Sequence, residues 1–98
     1  MASPKSSTPE IQAALGRLPG WGLANGKLHR EYQFSDFVHA FAFMAAAAVT
    51  AEALGHHPEW SNVYNRVNID LTTHDAGGVT VKDTELAAKL EEIARKLL

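Results

Sequence analysis

Residues 66–74 (Arg-Val-Asn-Ile-Asp-Leu-Thr-Thr-His) alternate between side chains suited to a core and side chains suited to water. In an extended chain Val67, Ile69, Leu71 and Thr73 fall on one side, with Arg66, Asn68, Asp70, Thr72 and His74 on the other. A strand of this kind buries one face and wets the other, the habit of an antiparallel sheet with a single packed layer. The pattern recurs upstream, where Leu28, Tyr32 and Phe34 share a face with Arg30, opposite His29, Glu31 and Gln33. Just before them, Asn25-Gly26 suits a two-residue type I′ turn, which needs positive φ at both central positions. Downstream, residues 75–78 read as a turn and Val79-Thr80-Val81 as a short fourth strand.

Three segments have helical spacing. Thr8 reads as an N-cap with Pro9 at the first helical position and Glu10 in the first turn; Ile11, Leu15 and Leu18 form the apolar stripe, and Pro19-Gly20 ends it. Ser35 reads as the cap of a second helix whose Phe37, Phe41, Met44 and Ala48 mark one face. Its alanines at 45–48 allow another backbone to come close, and Gly55 suits the left-handed residue that ends it. Asp83 reads as the cap of a last helix with Leu86, Leu90, Ile93 and Leu97 inward. On its solvent side Glu85–Lys89 and Glu92–Lys96 have ion-pair spacing. The expected fold is α+β, in the order αββαββα: a four-stranded antiparallel sheet with three helices packed on one face. It forms one domain, residues 8–98, behind a disordered lead-in at 1–7.

A chain of 98 residues buries only somewhat over ~60% of its unfolded surface, so association would help its modest core. The net charge of −2 leaves no electrostatic footprint for direct nucleic-acid binding. With no cysteine, disulfides, thiolate catalysis and cysteine-based zinc sites are excluded. The longest apolar run, Ala40 to Val49, is too short for a bilayer span, and the first ten residues lack the apolar stretch of a signal peptide. These features fit a cytoplasmic enzyme or adaptor, with no membrane partner.

The five histidines are His29, His39, His56, His57 and His74. His29 on a strand and His39 on a helix read as surface or boundary residues. The other three stand at element ends, in Gly-His-His-Pro-Glu-Trp (55–60) and Thr-Thr-His-Asp (72–75). Metal binding fits poorly: two adjacent histidines before a proline sit in extended chain, where their rings diverge. Acid/base chemistry fits better, because imidazole exchanges protons near neutral pH. Thr72, Thr73 and Asp75 could fix ring orientation there, and Trp60 could form a wall. Spacing leaves open the plainer reading, in which His56 and His57 decorate a loop and Trp60 fills the core. Glu52, Asp75 and Asp83 could each orient a ring, or serve as helix end, turn and cap. No nucleophile beside a base and no phosphate loop is present.

The wording of residues 51–87 goes further. His-His-Pro-Glu-Trp, then Asn-Val-Tyr-Asn-x-Val, Leu-Thr-Thr-His, a glycine-containing turn and Lys-Asp closely resemble the pterin-4a-carbinolamine dehydratase family, as does the upstream Tyr-Gln-Phe-Ser-Asp-Phe. The resemblance implies the α+β fold expected above, assembled as a homodimer or homotetramer. It implies dehydration of 4a-hydroxytetrahydrobiopterin to quinonoid dihydropterin, with no metal and no cofactor besides the pterin substrate. Such an enzyme would recycle pterin for an aromatic amino acid hydroxylase. By position, His56, His57 and His74 match the family's active-site histidines, with His56 and His74 the candidates for proton transfer and His57 for holding the pterin. Glu52 and Asp83 match supporting acids; Pro58, Trp60, Thr72, Thr73 and Asp75 match walls and rim. Gly55 stands where several relatives carry a polar residue, which leaves a backbone contact to substrate. Some relatives look like interaction proteins, either transcriptional dimerisation cofactors or assembly chaperones. Chaperone-like relatives tend to lose the histidines that this chain keeps.

Overall fold

The computed structural model describes residues 3–98. Its elements are α1 (Thr8–Leu15), β1 (Gly22–Ala24), β2 (Lys27–Gln33), α2 (Phe37–Leu54), β3 (Glu59–Val63), β4 (Arg66–Leu71), a 3-10 turn (His74–Ala76) and α3 (Val81–Leu97). The sheet is antiparallel throughout, in the order β1-β2-β4-β3. The expected α+β architecture is therefore present. Asn25 and Gly26 have φ of 53° and 77°, as the β1–β2 turn requires.

One face of the sheet carries the core. Leu28 pairs with Leu71, and Tyr32 with Val67; these four and Ile69 are fully buried. The helices cover that face: Ala40, Phe43, Ala47 and Ala51 from α2, Leu86, Ala87, Leu90 and Ala94 from α3, and Ile11 from α1 join the same cluster. Tyr32 is the hub, with its ring centroid 5.2 Å from that of Phe43 and the Arg30 guanidinium 4.2 Å above its face. Its hydroxyl donates to the buried carboxylate of Glu91, and Trp21 Nε1 donates to both Tyr32 Oη (3.1 Å) and Glu91 Oε1 (3.3 Å). Burial first, and then the Glu91 carboxylate, push the Tyr32 hydroxyl far above its ordinary range, so it remains a donor.

Several local expectations are corrected. The fourth strand is not residues 79–81 but Glu59–Val63. Thr73 and Gly78 form a single bridge, after which Thr80 turns the chain into α3. The strand at 59–63 turns only Trp60 and Asn62 toward the core side, opposite Ile69 and Val67, so its pattern carries little apolar signal. The helix caps each shift. Ser7, not Thr8, caps α1, in a reciprocal box with Glu10; Asp36, not Ser35, caps α2; Thr80, not Asp83, caps α3, with Asp83 as its partner three residues on.

The buried face of α2 is also corrected. Phe37 and Phe41 are half exposed and stack on each other, while Ala40, Ala47 and Ala51 are buried in the core. Small side chains let the helix lie close to its neighbours, chiefly α3, and Phe43 is the one large side chain it buries fully. The helix is long and apolar enough to cross a membrane by length and composition, yet its small-residue face is buried in the core of this fold. On α3 the ion pair formed is Arg95–Glu91 (3.3 Å), not the expected Glu85–Lys89 or Glu92–Lys96. Of the lead-in, Ser6 N–H donates to the Val79 carbonyl and Ser7 caps α1; Met1 and Ala2 lie outside the described residues.

Candidate active site

Two chain reversals build the site. The first is the end of α2. Gly55 is left-handed (φ 65°), its N–H donates to the Glu52 carbonyl, and His56 N–H reaches the Ala51 carbonyl. This doubly bonded ending aims His56 and His57 out of the helix. The second is the end of β4, where the chain passes through Thr72 and Thr73 into the 3-10 turn that opens with His74. The two meet in an open cleft of ≈ 310 Å³ lined by Gly55, His56, His57, Thr72, Thr73, His74, Asp75 and Lys82. A larger cavity, ≈ 460 Å³, lies between α1 and α3. It has Arg17 and Glu85 on its lining but no histidine, so nothing there exchanges protons readily near neutral pH.

Each cleft histidine bonds its own carboxylate through Nε2. His56 meets Asp83 Oδ1 at 2.5 Å, His57 meets Glu52 Oε1 at 2.8 Å, and His74 meets Glu59 Oε2 at 3.0 Å. His29 and His39 also bond carboxylates, Asp70 and Asp36, but through Nδ1, and neither lines the cleft. A carboxylate accepts only, so each cleft Nε2 carries a proton. The neutral ring then keeps its lone pair on Nδ1.

The three sites differ in burial. Asp83 is fully buried and accepts twice more on Oδ2, from the Thr73 hydroxyl and the Thr80 N–H, both at 2.8 Å. The Thr80 hydroxyl lies 2.8 Å from that of Thr73. Because Thr73 spends its proton on Asp83, the Thr80 hydroxyl donates to Thr73. The His56 ring is thus anchored from below by a carboxylate with three donors. The His57–Glu52 and His74–Glu59 pairs are exposed. Glu59 also accepts from Lys27 Nζ at 2.6 Å. The Lys27 ammonium first, with a smaller contribution from the His74 ring, holds the Glu59 carboxyl below the usual range; Lys27 is raised in return.

Of the residues singled out from sequence, Gly55, His56, His57, Thr72, Thr73, His74 and Asp75 converge on the cleft, with Asp83 beneath it and Glu52 beside it. Pro58 and Trp60 are not on its lining. Trp60 lies opposite Ile69 and packs partly buried against the core. Two further residues of the site went unread. Lys82 faces the cleft from the first turn of α3, and Glu59 holds His74. Glu59 was legible only once residues 59–63 are a strand, which sends Trp60 inward and Glu59 outward. Among the described residues, no three His, Asp or Glu side chains converge as metal ligands.

Known proteins share this arrangement of chain. A protein of Solibacter usitatus, provisionally named pterin-4-alpha-carbinolamine dehydratase, is 64% identical over 90 residues, 92% of this chain and 95% of its own. One of Rhizobium etli with the same provisional name is 46% identical over 100 residues, 100% of this chain and 99% of its own. The crystal structure of a transcriptional coactivator/pterin dehydratase from Brucella melitensis superposes with a TM-score of 0.88 at 46% identity, over 92% of this chain and 98% of that one. A pterin dehydratase-like protein described as a RuBisCO assembly factor in the alpha-carboxysome shares the fold (TM-score 0.63, 24% identity, 76% and 86% covered). Residues 4–93 match the family described as Pterin 4 alpha carbinolamine dehydratase, and the chain belongs to that family.

Proposed function

We propose that this protein dehydrates 4a-hydroxytetrahydrobiopterin to quinonoid dihydropterin and water by histidine acid/base catalysis. The observation that carries this reading is the set of three imidazoles around one cleft, each with Nε2 tied to a carboxylate. The reaction breaks the C4a–O bond and the N5–H bond and makes C4a=N5. It calls for one group to protonate the leaving hydroxyl and another to take the N5 proton. With every Nε2 occupied, the Nδ1 atoms do this work. His56 is assigned as the acid, because an imidazolium there has the buried Asp83 carboxylate to pair with; His74 is assigned as the base. His57, Thr72 and the Gly55 backbone hold the flat pterin. In the cell the protein would stand in the cytoplasm beside a pterin-dependent aromatic amino acid hydroxylase, which supplies the substrate.

Steady-state assays of His57→Ala and His74→Ala separate these roles. His74→Ala is expected to lower kcat roughly 100-fold with KM within a few-fold, and His57→Ala chiefly to raise KM. A His74→Ala enzyme with unaltered kcat would remove the base assignment.

The exposed face of α2 supports association of identical copies as a homodimer or homotetramer. Phe37, Val38, Phe41 and Val49 are 47–73% exposed on an 18-residue helix, an apolar stripe of the kind that closes a symmetric interface. Sedimentation velocity should give a dimer or larger, and Phe41→Glu a monomer. A wild type that sediments as a monomer at micromolar concentration would contradict this. The same face supports the second reading, an interaction protein that acts as a transcriptional dimerisation cofactor or assembly chaperone. That reading gains if the purified protein leaves the carbinolamine untouched.

A further inference from the structure

The open face of the sheet carries a row of charged groups that runs into the cleft. His29, Asp70 and Glu59 are cross-strand neighbours on β2, β4 and β3. Lys27, one turn of the strand pleat earlier on β2, reaches past β4 to Glu59. Glu59 therefore has one oxygen on Lys27 (2.6 Å) and the other on His74 (3.0 Å). Side-chain exposures of 36% and 42% at Lys27 and Glu59 leave the pair at the surface, where packing makes little use of it.

We propose that Glu59, braced by Lys27, is the positioning residue for His74: it keeps the Nε2 proton in place and turns the Nδ1 lone pair to the substrate. Glu59 is the acid inside the His-His-Pro-Glu-Trp stretch, and strand alternation explains how it gets there. Trp60 is turned into the core and fixes the strand, so Glu59 must project from the opposite face, toward the turn that bears His74. A bare carboxylate beside His74 would favour the charged ring and spoil it as a base. The Lys27 ammonium offsets that charge while leaving the hydrogen bond in place. The remaining charged groups around His74 are the adjoining Asp75, Asp70 with its partner His29 on the sheet, and His56, His57 and Lys82 across the cleft. Of these, none accepts a hydrogen bond from the His74 ring.

This inference rests on the dehydratase reading for its catalytic meaning, and two substitutions in the full-length protein test it. Glu59→Gln removes the charge and keeps the shape; Lys27→Met removes the brace and exposes His74 to the full carboxylate. The pH dependence of kcat and the titration of the His74 ring by NMR are measured for each. Both midpoints should move to lower pH in Glu59→Gln and to higher pH in Lys27→Met, each by about half a unit, as for exposed charge pairs. A roughly tenfold lower kcat with little change in KM is expected in Glu59→Gln. Opposite displacements would not arise from loss of structure, which has no sign. Midpoints that move together, or not at all, overturn the proposal. The NMR titration needs no turnover, so a protein without dehydratase activity whose His74 midpoints still diverge would refute the reaction and leave the Lys27–Glu59–His74 coupling standing.

Discussion

His56→Ala is expected to lower kcat for carbinolamine dehydration by roughly 100-fold to 10,000-fold, the range for loss of a positioned general acid. Its ring is the most anchored of the three. The side chain is 12% exposed, and Nε2 sits 2.5 Å from a carboxylate with no exposure at all. His56 also lines the cleft, so this anchor holds its ring at the cleft wall. The exposed His57 and His74 rings have more freedom, so their losses are expected to be smaller. Circular dichroism of the variant should match the parent, because α2 still ends on Gly55 and its two backbone bonds. A His56→Ala protein that folds and retains kcat within threefold would take His56 out of the chemistry.

Asp83→Ala is expected to damage stability as well as rate. The carboxylate accepts from Thr73, from Thr80 N–H and from His56, and all three donors lie in or beside the core. Removing it strands donors that water reaches poorly and breaks the capping box of α3, which together cost about 3 kcal/mol. In a domain of this size that corresponds to a fall in Tm of more than about 10 °C. Asp83→Asn separates the two effects. Its amide oxygen must face the Thr73 and Thr80 donors, so its NH2 faces His56 and requires a lone pair on Nε2. The proton is then forced onto Nδ1 in the neutral ring. Asp83→Asn should unfold within about 1 kcal/mol of the parent in urea, yet lose most of its kcat. An Asp83→Asn protein that retains its kcat would show that the carboxylate serves the fold alone.

What could be read from the sequence was chemistry confined to a few neighbouring residues. Asn25-Gly26 demands positive φ wherever it occurs, and the alternation through Val67, Ile69 and Leu71 is unmistakable because one face has nothing but apolar side chains. Gly55 follows from the need for a left-handed residue at the end of α2. The helix caps slipped because two nearby candidates compete: Ser7 beats Thr8, and Thr80 beats Asp83, since each winner has an acid three residues ahead to complete the box. The orientation of α2 was hidden because hydrophobicity alone favours burying Phe37 and Phe41. Close packing, chiefly against α3, instead selects the alanine face.

The site divides in the same way. His56, His57 and His74 stand out from their setting, and the cleft brings them together. Their partners depend on distant pairings. Asp83 is 27 residues from His56 and Glu59 is 15 from His74, and both contacts exist only after β3 and α3 are placed. Trp60 suited a wall by its size, but the register that pairs it with Ile69 commits it to the core. The same register delivers Glu59 to His74.

The most direct test is the decay of 4a-hydroxytetrahydrobiopterin followed by stopped flow, with and without the wild-type protein, from about pH 5 to pH 8. Decay should be much faster with the protein than without it, and the advantage should shrink on the acid side as the base imidazole takes up a proton. Decay at the uncatalysed rate would contradict the dehydratase reading, and an acceleration that is flat across that range would contradict histidine as its base.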